Sequence, residues 1–250
     1  MGDIKHPARI LVVGRSRSGK TTMGVKLIEY LLPQVDELLI VSPTFKLQPT
    51  WDPIRESVYL AHDHVETMID ILDSVLIADT EGGHKEGTQI ETKRLLVLDD
   101  VSYDRVLNEG NKGILNKLAY ATHHLNLSIL IIVHKSSNIG AGMKENADWL
   151  LLFKTVNNNE LDNLYDCFGV TRTKKEFHTL FKKEIWDKIQ SGEEAHPFIA
   201  VDFTKGGLAY YMLRERLQLV DEAGAEQVKG KRKRGIEKEE GRVRKKLKSA

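Results

Sequence analysis

Arg9-Ile10-Leu11-Val12-Val13-Gly14-Arg15-Ser16-Arg17-Ser18-Gly19-Lys20-Thr21-Thr22 is the stretch on which the reading of the fold turns. Residues 9–13 form a short apolar run that stops at a glycine, as a buried strand does. Beyond Lys20, the apolar residues Met23, Leu27, Ile28 and Leu31 recur at helical spacing until Pro33 ends the pattern. The order is therefore strand, loop, helix. Gly14 to Thr21 fits the pattern of a glycine, four residues, a second glycine, a lysine and a hydroxyl residue, and the chemistry of phosphate binding explains each requirement. Glycine permits positive φ, so successive N–H groups can turn toward phosphate oxygens, and the helix that follows contributes the positive end of its dipole. With glycine at about 7% of residues, a chance match in a chain this long has odds on the order of one in a hundred.

The candidate phosphate-binding set is Gly14, Arg15, Ser16, Arg17, Ser18, Gly19, Lys20, Thr21 and Thr22. Lys20 is suited to neutralise the β- and γ-phosphates, and the Thr21 hydroxyl is suited to ligate a magnesium ion, so ATP and Mg²⁺ are the expected cofactors. A P-loop needs a second strand that brings a carboxylate to the metal, and Leu95-Leu96-Val97-Leu98-Asp99-Asp100 supplies one. At the C-terminal edge of a parallel sheet, Asp99 is the expected metal residue and Asp100 the candidate general base toward the γ-phosphate. The structural alternative for Asp100 is a cap or the start of a turn. His134 ends the apolar strand Ser128–Val133 at the same edge, where it either senses the γ-phosphate and the attacking water or serves structure alone. Other acids, Asp79, Glu81, Glu86 and Glu91, have no ligand spacing and read as a solvated loop. The pairs His62/His64 and His123/His124 lack the further ligands that a metal site requires.

Outward from these motifs the same alternation continues. Leu38–Val41 and Val58–Ala61 read as strands, and Asp63–Ile77 reads as a helix through Val65, Met68, Ile69, Leu72 and Leu76, with Asp63 and Glu66 placed as a cap. Residues 79–92, with Gly82, Gly83 and Gly87, read as a loop. Ile114–Leu125 is helical by spacing, and Leu95–Leu98, Ser128–Val133 and Trp149–Phe153 are apolar without alternation, as strands covered on both faces are. Strands alternating with helices predict a doubly wound, mostly parallel sheet. Polar helices follow near Asn158–Cys167 and Lys174–Ile189. Phe198–Phe203 and Leu208–Leu213, flanking Thr204-Lys205-Gly206-Gly207, then predict a terminal β-hairpin. The expected organisation is an ATPase domain over residues 1–216 and a charged, disordered basic tail over 217–250.

Composition narrows the class further. The formal net charge is +1, yet residues 229–248 hold eleven Lys and Arg against three Glu, a net of +8 that leaves −7 on residues 1–228. An acidic body does not draw DNA by its overall field, so DNA contact is expected from local basic loops, a ring lumen or the tail. The tail is read as a nuclear-import signal, a DNA tether or a solubilising terminus. The single cysteine, Cys167, excludes a disulfide framework and reads as a buried small hydrophobe. No apolar run reaches the roughly 18–20 residues of a membrane span, and the first residues lack the apolar stretch of a signal peptide, so a soluble intracellular protein is expected.

With the P-loop, the acid pair and the segment His123-His124-Leu125-Asn126-Leu127-Ser128-Ile129-Leu130-Ile131-Ile132-Val133-His134 in view, the chain from about Ile10 to Phe153 resembles the FtsK/HerA superfamily. Within it, the resemblance is to the genome-packaging ATPases of poxvirus-like viruses, virophages and the Polinton/adintovirus group. Those enzymes commonly have glutamine where this chain has His134, and arginine where it has Lys144, ahead of Asn146 and Trp149. The resemblance implies an ATP-driven motor that moves double-stranded DNA, independent of sequence, into capsids. It also implies a homo-oligomeric ring of five or six subunits, an arginine finger from a neighbouring subunit with Arg105 and Arg172 as candidates, and contact with capsid proteins. The expected location is the host cell interior, in the nucleus or a cytoplasmic assembly site, with association with the virion. Two other readings use the same P-loop: a small-molecule or nucleoside kinase, and a cellular DNA pump or helicase. The paired acids favour water activation over transfer to an acceptor.

Overall fold

A computed structural model describes residues 4–62, 92–101, 114–155, 157–204 and 209–211. The chain divides into two compact units, Gly2–Met212, which holds all the described residues, and Met1 with Leu213–Ala250, which lie outside them. The helix expected over Asp63–Ile77, most of the loop 79–92 and the basic tail also fall outside the described residues.

The strands are β1 (Arg9–Val13), β2 (Glu37–Val41), β3 (Leu60–His62), β4 (Arg94–Asp99), β5 (Leu127–Val133), β6 (Trp149–Phe153), β7 (Phe198–Asp202) and β8 (Ala209–Tyr211). They form one sheet in the order β3-β2-β4-β5-β1-β6-β7-β8. Every pairing from β3 to β6 is parallel, and β7 and β8 add antiparallel at the end. The mostly parallel sheet and the terminal hairpin are thus as the sequence predicts.

The helices are α1 (Lys20–Leu31), α2 (Ile114–Ala121), α3 (Ala141–Glu145), α4 (Asn158–Phe168) and α5 (Lys174–Phe181). A π-helical turn, Lys182–Asp187, continues α5 into α6 (Lys188–Gln190). Alternation along each strand divides two apolar layers. Leu11, Val13, Leu96, Leu98, Ile129 and Ile131 belong to a core shared with Leu118, Met143, Leu161, Leu164, Phe177 and Phe181, from α2 through α5. Ile10, Val12, Leu95, Val97, Leu130 and Ile132 are equally buried without belonging to that core. α1 contacts β1, β5 and the 3-10 segment Pro49–Ser57. Burial of both strand faces is why these strands read as unbroken apolar runs.

Two sequence expectations change. Ile114–Leu125 was expected to be helical throughout, but α2 ends at Ala121 and residues 122–126 form turns, because Asn126 adopts φ 48° to redirect the chain into β5. Asparagine tolerates this left-handed region better than most residues do. Cys167, expected to be buried, is exposed: α4 turns Leu161 and Leu164 inward, and residue 167 falls outside that stripe.

Candidate functional site

β5 is the strand on which the site is hung. The Gly14 amide donates to the Val133 carbonyl (3.2 Å), and the Asp100 amide donates to the neighbouring Ile132 carbonyl (3.1 Å). The start of the P-loop and the acid pair are therefore suspended from consecutive residues of one strand, and His134 is the next residue along it. On its other side the loop is held by the Arg15 amide, which donates to the Lys154 carbonyl just beyond β6 (2.8 Å).

The glycines meet specific demands. A Cβ on Gly14 would lie 2.5 Å from the Phe153 Cβ, inside any permissible contact. Gly19 takes φ 91° as it opens α1, a backbone region that costs glycine nothing. Arg17 also has positive φ, at 60°. Arg15, Ser16, Arg17 and Thr22 are exposed, Thr21 is half-buried, and Ser18 is buried with its Oγ lacking a hydrogen-bond partner.

Lys20 is buried, and its ammonium donates to the Arg15 carbonyl (2.9 Å) and lies 3.1 Å from His134 Nδ1. Since an ammonium can only donate, Nδ1 must accept and the imidazole proton sits on Nε2. Nε2 in turn lies 2.9 Å from Asp100 Oδ1, close to the carboxylate but not aligned as a hydrogen bond. Asp100 holds φ 55°, an unusual conformation for a residue with a Cβ, which sets its carboxylate toward His134. Burial lowers the Lys20 pKa below the ordinary lysine value, against the opposing influence of Asp100 and Asp99.

Asp99 is 1% exposed. Burial, reinforced by repulsion from Asp100, raises its pKa to about 7, while hydrogen bonds from Ser42 and Thr21 and the charge of Lys20 pull the other way. The Ser42 hydroxyl donates to Oδ2 (3.1 Å), and Oδ1 is buried with no hydrogen-bond partner. A buried, unpaired carboxylate oxygen beside a threonine hydroxyl has the donor chemistry of a hard divalent cation site, so these residues fit magnesium.

Lys20, Thr21, Asp99, Asp100 and His134 thus meet at the C-terminal edge of the parallel strands. Other candidates do not join them. Lys144 directs its ammonium to Cys167 Sγ (3.7 Å), and Arg172 is exposed between α4 and α5, its carbonyl accepting from the Tyr165 hydroxyl. Arg105, His64, Asp79, Glu81, Glu86 and Glu91 lie outside the described residues, His123 and His124 are exposed, and no cluster of metal-ligating side chains occurs among the described residues.

Two site residues escape a motif reading. Ser42 follows β2 as Asp99 closes β4 and His134 follows β5, so a polar residue at the end of an apolar run was the available signal. Glu160 is buried on α4, and its Oε1 accepts from both the amide (2.7 Å) and the hydroxyl (2.8 Å) of Ser136, fixing the turn that follows His134.

Residues 3–185 match the family model described as poxvirus A32 protein. Among solved structures, the genome packaging NTPase B204 from Sulfolobus turreted icosahedral virus 2 in complex with AMPPCP is similar, with a TM-score of 0.55 and 14% identity over 82% of this chain and 96% of that one. Its sulfate complex gives a TM-score of 0.56 and 15% identity over 83% of this chain and 97% of that one. The DNA-packaging ATPase B204 from Sulfolobus Turreted Icosahedral Virus gives 0.53 and 16%, covering 82% of this chain and 98% of that one. At such identities the likeness establishes a shared fold. No curated protein matches the chain. Because the family match runs over more than half of the 250 residues and includes the loop, both acids and His134, the chain belongs to the poxvirus A32 protein family.

Proposed function

We propose that this protein is an ATP-hydrolysing motor that drives viral double-stranded DNA into capsids. The observation that carries the reading is the convergence on the P-loop of Lys20, His134 and Asp100, with Asp99 and Thr21 beside them. Family membership and the fold shared with viral packaging NTPases support the same direction.

In this mechanism the backbone amides of residues 15–20 and the Lys20 ammonium receive the β- and γ-phosphates, so Lys20 exchanges the Arg15 carbonyl for phosphate oxygens. Asp100 orients a water molecule and takes its proton. The water oxygen bonds to the γ-phosphorus as the bond to the ADP oxygen breaks. His134, lying between Lys20 and Asp100, registers whether the γ-phosphate is present. Thr21 and Asp99 are the residues that would hold Mg²⁺, which supplies neutralisation of phosphate charge when bound. The paired acids Asp99 and Asp100 favour hydrolysis over transfer to a metabolite.

The finer elements of the reading are a homo-oligomeric ring of five or six subunits, grip on DNA phosphates independent of sequence, docking to capsid proteins and work in the nucleus or a cytoplasmic assembly site. They follow from the packaging role. The test is ATP turnover with and without duplex DNA. Turnover is expected to rise with DNA, to vanish in Lys20→Ala, and to be abolished in Asp100→Asn while ATP binding persists. Near-normal turnover in Asp100→Asn removes Asp100 as the base, and phosphate appearing on an added nucleoside without DNA stimulation favours a kinase instead.

A further inference from the structure

The P-loop has a second face. A cleft of about 270 Å³ opens beside it, bounded by Arg15 and Arg17 of the loop, Lys154 after β6, and Ile189, His196 and Pro197 from the segment that leads into β7. This segment is packed hard against the loop: a Cβ on Gly19 would come within 2.9 Å of the His196 Cβ. Lys154 is fixed twice, through its carbonyl to the Arg15 amide and through its ammonium, 4.4 Å from the Trp186 ring centroid. The cleft is therefore a built feature, attached to the same loop that receives phosphate.

Its direction relative to the reacting groups identifies the occupant. β1 lies between β5 and β6, with β4 beyond β5 and β7 beyond β6. Asp99, Asp100 and His134 stand on the β4 and β5 side, whereas Lys154, His196 and Pro197 stand on the β6 and β7 side. A triphosphate laid along the loop with its terminal group at Asp100 and its other end toward β6 brings that other end to the side of the cleft. The volume is below the roughly 300–1,000 Å³ of pockets that take whole drug-sized ligands, which suits one part of a nucleotide. The walls suit that part as well. Ile189, Pro197 and the imidazole of His196 offer flat and apolar contact to a base, while Arg15, Arg17 and Lys154 offer positive charge where sugar joins phosphate.

We infer that this cleft receives the nucleoside end of ATP and that His196 is its stacking residue, an assignment that rests on the ATPase reading above. Stacking on a base is sequence-tolerant because every base has a π face, and its loss on alanine substitution weakens binding on the order of tenfold. Inorganic tripolyphosphate has no base and does not need the cleft.

Calorimetric titration of the full chain with ATP and with tripolyphosphate separates the two ends of the ligand. His196→Ala, which keeps the Cβ packed on Gly19, is expected to weaken ATP on the order of tenfold and to leave tripolyphosphate unchanged. Ile189→Ala is expected to act in the same direction, and thermal melting of both variants verifies that they remain folded. Unaltered ATP affinity in both folded variants overturns the inference, as does equal weakening of both ligands, which would make His196 a phosphate contact. Loss of DNA stimulation with intact ATP affinity assigns the cleft to nucleic acid and also overturns it. If the unmodified protein binds neither ligand, the ATPase reading itself fails, an outcome distinct from the others.

Discussion

Burial favours the protonated form of Asp99 in the folded protein over the unfolded chain, and this gives its contribution to stability a definite sign with pH. With its folded pKa near 7 and its unfolded value in the usual carboxylate range, its contribution to stability is fully present below about pH 4 and is lost as the pH rises through about 7. Thermal melts of the nucleotide-free protein compared with Asp99→Asn are expected to show the parent losing ground to the variant between about pH 4 and 7. A difference that stays flat with pH would mean that burial does not hold this proton. Mg²⁺ with nucleotide is expected to reverse the trend, because binding to the deprotonated carboxylate stabilises the folded state by mass action. At this scale the sequence was most legible for residues whose chemistry is tied to spacing. Gly14, Lys20 and Thr21 stand where the motif places them, and Asp99 and Asp100 stand at the end of an apolar strand. His196 was illegible because it reaches the loop from a segment some 180 positions away in the chain, through packing that has no local pattern.

Among elements, the strands were the clearest because burial on both faces removes polar residues altogether, leaving runs such as Leu95–Leu98 and Trp149–Phe153 that have one reading. Helix ends were less legible. The termination of α2 depends on the positive φ of Asn126 and on how residues 122–126 return the chain to β5, which helical periodicity does not encode. The exposure of Cys167 depends on the rotation of α4 against the core, and the small size of the side chain gave no cue to it. α4 also carries the prediction that belongs to this scale. Glu160→Ala leaves the Ser136 amide and hydroxyl without their acceptor and is expected to cost about 1–3 kcal/mol in urea unfolding. Because Ser136 follows His134 so closely, turnover is expected to fall more than ATP affinity does. Glu160→Gln retains a carbonyl acceptor and should restore much of both. Equal behaviour of the two variants would argue that the carboxylate charge, not the acceptor, is what the turn requires.

For the whole molecule, charge distribution sets the expected response to salt. Grip on DNA phosphates releases condensed counterions, so the DNA concentration needed for half-maximal stimulation should rise steeply with salt while DNA-independent turnover changes little. If both quantities are insensitive to salt, phosphate contact does not underlie the stimulation. Removal of residues 229–250 withdraws the +8 segment, and a shallower salt response would identify the tail as a tether. The arrangement of β5 bears on how such a machine can transmit force. The amides of Gly14 and Asp100 hang from adjoining carbonyls, so the start of the P-loop and the acid pair share one attachment on β5. A displacement of that strand is expected to carry both groups with it. In a motor of the kind proposed, the working stroke is expected to fall outside this strand, which would serve as the stator.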